Sequence, residues 1–131
     1  MANIPDNLKY TKTHEWVKLD GDIATVGITD FAQSELSDIV YVEITTVGQQ
    51  VKKEQAIGTI EAVKAVSDLY APVSGQVVEG NESLKDTPAT VNQDPYGAGW
   101  LARIKIADPA EAGGLLGPAA YAEVIKKSAH H

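Results

Sequence analysis

Cysteine is absent from the 131 residues, which excludes disulfides, thiolate metal ligation and a cysteine nucleophile. Histidine is nearly as scarce. Of three, His130 and His131 stand at the extreme C-terminus and read as a tag remnant or a frayed natural end, which leaves only His14 inside the chain. No apolar run approaches the roughly 20 residues needed to span a bilayer. The opening Met1-Ala2-Asn3-Ile4-Pro5-Asp6 has no basic segment leading into an apolar one, so no export signal is expected. Basic residues are outnumbered 11 to 18 by acidic ones, for a net charge of −7. The acids are dispersed, so the molecule repels polyphosphate and anionic lipid, and neither nucleic acid nor membrane is expected as a partner.

What is present is globular: 44% apolar and 22% charged residues, enough for a single core. Residues 1–127 are read as one domain and 128–131 as a tail. Two β-rich runs from Glu15 to Ile28 flank Asp20-Gly21, which can take the positive φ of a tight turn, and read as a hairpin. Asp30 then offers a helix cap, with Gln33 placed to reach back to the cap amide. Val40, Val42 and Ile44 alternate with Tyr41 and Glu43, the period of a half-buried strand. Trp100, Ala102, Ile104 and Ile106 repeat that pattern against Leu101, Arg103 and Lys105. Trp16 and Trp100 are assigned to the core. Asp108-Pro109-Ala110-Glu111 carries a cap, an N1 proline and an early acid, so a helix starts there. Gly117-Pro118 breaks it, and a second helix runs from Ala119 to Lys127, with Lys126 and Lys127 complementing its dipole.

Gly48-Gln49-Gln50-Val51 and Gly75-Gln76-Val77-Val78 share a G-Q-x-V pattern that coincidence explains as well as duplication does. Midway between them lies Thr59 to Pro72. Ile60, Val63, Ser67 and Tyr70 would share a helical face, yet the β-branched residues suit two strands turning near Val63-Lys64-Ala65, a turn without Gly, Asn or Pro. Composition leans to the hairpin, but periodicity alone does not decide. Lys64 is the only basic residue between Lys53 and Lys85, and its neighbours are the small apolar Ala62, Val63, Ala65 and Val66. Such an amine is open to an acylating enzyme, although most lysines in proteins are merely solvated.

The run from Glu61 to Gly75 resembles the lipoyl-attachment segment of the H proteins of the glycine cleavage system. The likeness continues through Leu8-Lys9-Tyr10, Thr13-His14-Glu15-Trp16, Val26 to Gln33, Asp38 to Val42, Val91 to Gly97 and Gly99-Trp100. Ala62 departs from the family's usual serine. The resemblance implies a mainly β fold, a barrel-sandwich hybrid of two small antiparallel sheets with short helices including C-terminal ones, and Lys64 at a hairpin tip. It further implies lipoate joined to Lys64 as an amide, on a carrier that is not itself an enzyme. Such a carrier shuttles an aminomethyl group from the pyridoxal-phosphate-dependent glycine decarboxylase (P protein) to the folate-dependent aminomethyltransferase (T protein), and dihydrolipoamide dehydrogenase (L protein) reoxidises it. A lipoate ligase or an octanoyl or lipoyl transferase would load Lys64, with Glu61 and Gly48 implied in acceptor recognition. Glu15 and Asp68 are implied in a cleft that cradles the loaded arm, where a carboxylate can pair with the amine. The expected form is a monomer, cytoplasmic in a bacterium or in the mitochondrial matrix as a mature eukaryotic form.

Three other readings compete. A Schiff-base lysine with Glu61 as acid or base lacks neighbouring cations or burial to depress its pKa. A biotin carrier would flank its lysine with methionine, and the sole methionine is Met1. An H-like protein carrying or donating lipoate for another system remains the alternative.

Overall fold

A computed structural model describes residues 3–128. In chain order the elements are β1 (Lys9–Tyr10), β2 (Glu15–Asp20), β3 (Ile23–Ile28), α1 (Asp30–Leu36), β4 (Ile39–Ile44), β5 (Gln50–Val51), β6 (Ala56–Ala62), β7 (Val66–Tyr70), β8 (Gly75–Gly80), α2 (Thr90–Gln93), β9 (Ala102–Ile106) and α3 (Pro118–Ser128). Two antiparallel sheets result, one ordered β1-β2-β3-β9-β8-β5 and the other β4-β6-β7. This is the mainly β, two-sheet architecture anticipated. Val17, Val26, Val77 and Ile104 of the larger sheet bury themselves in one core with Val42, Ile57, Ile60 and Leu69 of the smaller. Leu8, Tyr10, Trp16 and Tyr121 form a second cluster. No described helix is long and apolar enough to cross a membrane.

The first hairpin forms as read, with Asp20 paired to Ile23, so Gly21 and Asp22 are its turn residues and Gly21 takes φ 62. The segment around Lys64 is strand, turn, strand: Glu61 faces Val66 and Ile60 faces Ser67. Its turn needs no glycine because no residue in it adopts a positive φ. Instead the Ala62 amide donates to the Ala65 carbonyl at 2.8 Å, and the Val63 amide donates to Asp38 at 2.9 Å.

The two G-Q-x-V segments pair with one another, Gln50 opposite Gln76 and Val51 opposite Gly75, and the chain midway between them is the hairpin tip. Their glycines serve different needs. Gly48 takes φ 88 in open space, whereas a Cβ on Gly75 would lie 2.0 Å from the Lys105 carbonyl oxygen.

Several local expectations are corrected. Thr29, not Asp30, caps α1, its hydroxyl accepting from the Ala32 amide at 3.2 Å. Gln33 donates to the Asp30 carboxylate instead of accepting from a cap amide. The alternation in β4 is broken by a bulge between Ile39 and Tyr41, which buries Ile39 and Val42 and leaves Val40 52% exposed. Trp16 is a core residue, its indole donating to the Pro95 carbonyl, and Trp100, outside β9, is half-buried at the edge of the same cluster beneath the Arg103 guanidinium. Leu101, read as facing outward, is fully buried. Asp108 does cap Pro109–Gly114, which is a 3-10 helix, and Glu111 accepts from the Ser74 amide and hydroxyl. The last helix begins at Pro118 and includes Ser128, the first residue of the tail set apart above. His130 and His131 lie outside the described residues.

Candidate functional site

Lys64 stands at the tip of the β6–β7 hairpin, exposed, with no ion pair or side-chain hydrogen bond among the described residues. Val63 and Val66 beside it are 75% and 65% exposed, an apolar collar that nothing in the fold covers. A solvated primary amine on a turn anchored by two backbone hydrogen bonds is accessible to an enzyme and cannot retreat into the core. Glu61 is half-buried one strand step below, between Tyr41 of β4 and Val66 of β7. Gly48 is elsewhere, beyond the base of the hairpin, its amide donating to Val77 of the larger sheet at 2.7 Å. The structure therefore brings Glu61, but not Gly48, to the tip.

Alongside β7 runs a cleft of about 340 Å³ lined by Thr13, His14, Glu15, Ile28, Phe31, Ala32, Glu35, Leu36, Ser67 and Asp68. It brings Glu15 and Asp68 together. Ile28, Phe31, Ala32 and Leu36 supply its apolar lining, and its titratable lining comprises three carboxylates and His14 with no lysine or arginine. Asp68 is two residues along β7 from Val66, roughly 7 Å at a strand's rise. A lysine extended by a lipoyl chain would span about 15 Å from Cα to sulfur by ordinary bond lengths, enough for such an arm on Lys64 to reach this cleft.

Glu15 is 1% exposed, and its burial pushes the carboxyl pKa up. Hydrogen bonds oppose that shift: the Thr11 and Thr13 hydroxyls both donate to Oε1 at 2.5 Å, and the Tyr70 amide donates to Oε2 at 3.4 Å. Neither threonine was singled out from sequence, although Thr11-x-Thr13-x-Glu15 places polar oxygens at every second position, a spacing that could have flagged them. Burial lowers the pKa of His14, whose Nδ1 lies 2.8 Å from the Tyr121 hydroxyl. A larger cleft of about 490 Å³ opens on the other side of Glu15 toward Tyr70, Pro72 and Leu116, and it carries Lys12 and Lys53 at its rim. Two clefts thus share one buried acid, and only the one nearer Lys64 lacks a cation.

The profile described as "Glycine cleavage H-protein" matches residues 8–128. The glycine cleavage system H protein of Rubrobacter xylanophilus is 54% identical over 127 residues, covering 97% of this chain and 98% of that one. The protein of the same name from Chlorobium limicola is 58% identical over 125 residues, 94% of this chain and 98% of the other. The crystal structure of a glycine cleavage system H protein from Mycobacterium marinum superposes with a TM-score of 0.83 at 42% identity, covering 92% of this chain and 97% of that one. A match over nearly the whole length in sequence and in fold places the chain in the glycine cleavage H-protein family, lipoyl carriers of the glycine cleavage system and not themselves enzymes.

Proposed function

We propose that this chain carries lipoate as an amide on Lys64 and shuttles an aminomethyl group from glycine decarboxylase to aminomethyltransferase, with dihydrolipoamide dehydrogenase restoring the disulfide. The observation that carries the reading is an uncovered amine on a rigid tip within an arm's length of a cleft whose titratable lining is acidic apart from His14. When attached, lipoate supplies a dithiolane able to accept the group and be reoxidised. The chain's own residues do the rest. The tip hydrogen bonds of Ala62 and Val63 keep Lys64 presented, and Glu61 beside it supplies recognition for a lipoate ligase or an octanoyl or lipoyl transferase, with Gly48 acting from a separate surface beyond the hairpin base. Glu15 and Asp68 receive the cationic amine while Ile28, Phe31 and Leu36 receive the methylene chain. Glu15 suits this task because burial raises its pKa, and a cation beside it would offset that cost and favour the carboxylate. The carrier acts as a monomer that docks in turn on larger partners, in the cytoplasm, in keeping with its bacterial relatives.

The test is intact mass and peptide mapping after incubation with a lipoate ligase, ATP and lipoate. One lipoyl amide is expected on Lys64 and none in Lys64→Arg. Acylation scattered over other lysines, or none, would remove the carrier assignment.

A further inference from the structure

We propose that Tyr121 is a positioning residue for the carrier arm: its hydroxyl, delivered by α3, ties together the two walls of the cleft that contains Glu15 and Asp68. The inference rests on the reading of that cleft as the seat of the loaded arm. One wall is the 11–15 turn and the other is α1. Tyr121 Oη lies 2.8 Å from His14 Nδ1 on the first and 2.6 Å from Thr29 Oγ1, the cap of the second. These partners are 107 and 92 residues away in sequence, so no local preference brings them together.

The first wall depends on His14. It takes φ 71, a left-handed conformation that a residue other than glycine keeps only where its surroundings enforce it. Its amide donates to Thr11, its carbonyl accepts from the Thr29 amide, and its ring is held by Tyr121. That turn sets where the Thr11 and Thr13 hydroxyls and the Glu15 carboxylate sit. On the second wall, Thr29 Oγ1 fixes the first turn of α1, whose Phe31, Ala32, Glu35 and Leu36 face the cleft. Tyr121 is fully buried and stacked on Tyr10, with ring centroids 4.7 Å apart and planes within 7°. The hydroxyl therefore sits on a rigid support, and its removal takes away the side-chain tie between the walls, leaving the Thr29 amide to His14 carbonyl bond to hold them, without disturbing the ring beneath. The hydrogen bonds that set the hairpin tip, to Ala65 and to Asp38 two residues beyond α1, do not involve Tyr121, His14 or Thr29. Acylation of Lys64 and retention of the loaded arm are separable on this basis.

The experiment uses the full chain lipoylated at Lys64, with the arm reduced and then loaded from formaldehyde and ammonium. In that loading C–S and C–N bonds form, and the carbonyl oxygen leaves as water with one hydrogen from the thiol and one from nitrogen. The readouts are the ¹H–¹⁵N resonance of the Tyr70 amide and the ¹³C resonance of the Glu15 carboxyl, before and after loading, together with the acylation rate. In the unsubstituted chain loading should shift both resonances. Tyr121→Phe keeps the stacked ring and should be acylated at the normal rate. Its docked population should fall about two- to ten-fold, the range one hydrogen bond accounts for. Full loading shifts in Tyr121→Phe would overturn the proposal while leaving the cleft reading intact. Absence of any shift in the unsubstituted chain would overturn the cleft reading, and the proposal with it. Should Tyr121→Phe fail to fold, His14→Asn, which tolerates the left-handed backbone but removes the imidazole, decides by the same readouts.

Discussion

The Glu15 carboxylate of β2 accepts a hydrogen bond from the Tyr70 backbone amide at the end of β7, so a buried acid of the larger sheet closes on the edge of the smaller one. That contact spans 55 residues of sequence and lies where the two clefts meet.

Burial raises the Glu15 pKa above its unfolded value, so its protonation favours the folded state. The contribution is fully present below the unfolded-state pKa and is lost as pH rises through the higher folded-state value. Glu15→Gln keeps an acceptor for Thr11 and Thr13 but does not ionise. Thermal melts from pH 4 to pH 8 should show the unsubstituted protein losing stability relative to Glu15→Gln as pH increases. An unsubstituted protein that instead gains stability relative to Glu15→Gln as pH rises would show the carboxylate to be net stabilising.

The leading glycines of the two G-Q-x-V segments should respond differently to alanine. At Gly48 the only obstacle is the positive φ, so Gly48→Ala should cost about 1–2 kcal/mol. At Gly75 the added carbon meets the Lys105 carbonyl, a backbone atom of β9 that can move only by breaking the ladder, so Gly75→Ala should cost about 3 kcal/mol or more. Denaturant titration of both variants settles the order. Equal costs would mean that close strand approach is not what Gly75 provides.

Capping of α1 gives a third comparison. Thr29→Ala removes the hydroxyl that accepts from the Ala32 amide and contacts Tyr121, and should destabilise by about 1–2 kcal/mol. Asp30→Ala removes only half-exposed contacts to the Asn3 amide and Gln33, and should cost about 0.5 kcal/mol. The reverse order in urea melts would restore Asp30 as the cap.

Much of this was legible in the chain, for reasons that are local. Gly21 marks its turn because few other residues take that φ, and Asp108-Pro109 marks a helix start because a side-chain oxygen and a preset φ suffice for one. The misreadings have one source. Asp30 and Thr29 are both competent caps, and only the chain's path from β3 decides which hydroxyl or carboxylate meets the Ala32 amide. Val40 keeps the right period for burial, but the bulge that turns it outward comes from pairing with β6. Trp100 fits a core pattern, yet β9 begins two residues later and leaves the indole at the boundary under Arg103.

By itself the sequence determined the β-rich composition, the excess of acidic residues, the isolated lysine among small apolar neighbours and the membership of a carrier family, since each resides in residue identity and short-range order. It left open whether residues 59–72 form a helix or a hairpin, because β-branched residues at mixed spacing satisfy both periods. The tertiary structure decided that, by giving β6 a partner on each side and the tip a carbonyl from Asp38. It alone assembled the cleft, from a turn near residue 13, a helix near residue 33 and a strand near residue 68, closed by a hydroxyl from residue 121. Contacts that distant arise only when two apolar sheet faces leave water together, and no pattern along the chain records which polar groups that burial brings face to face.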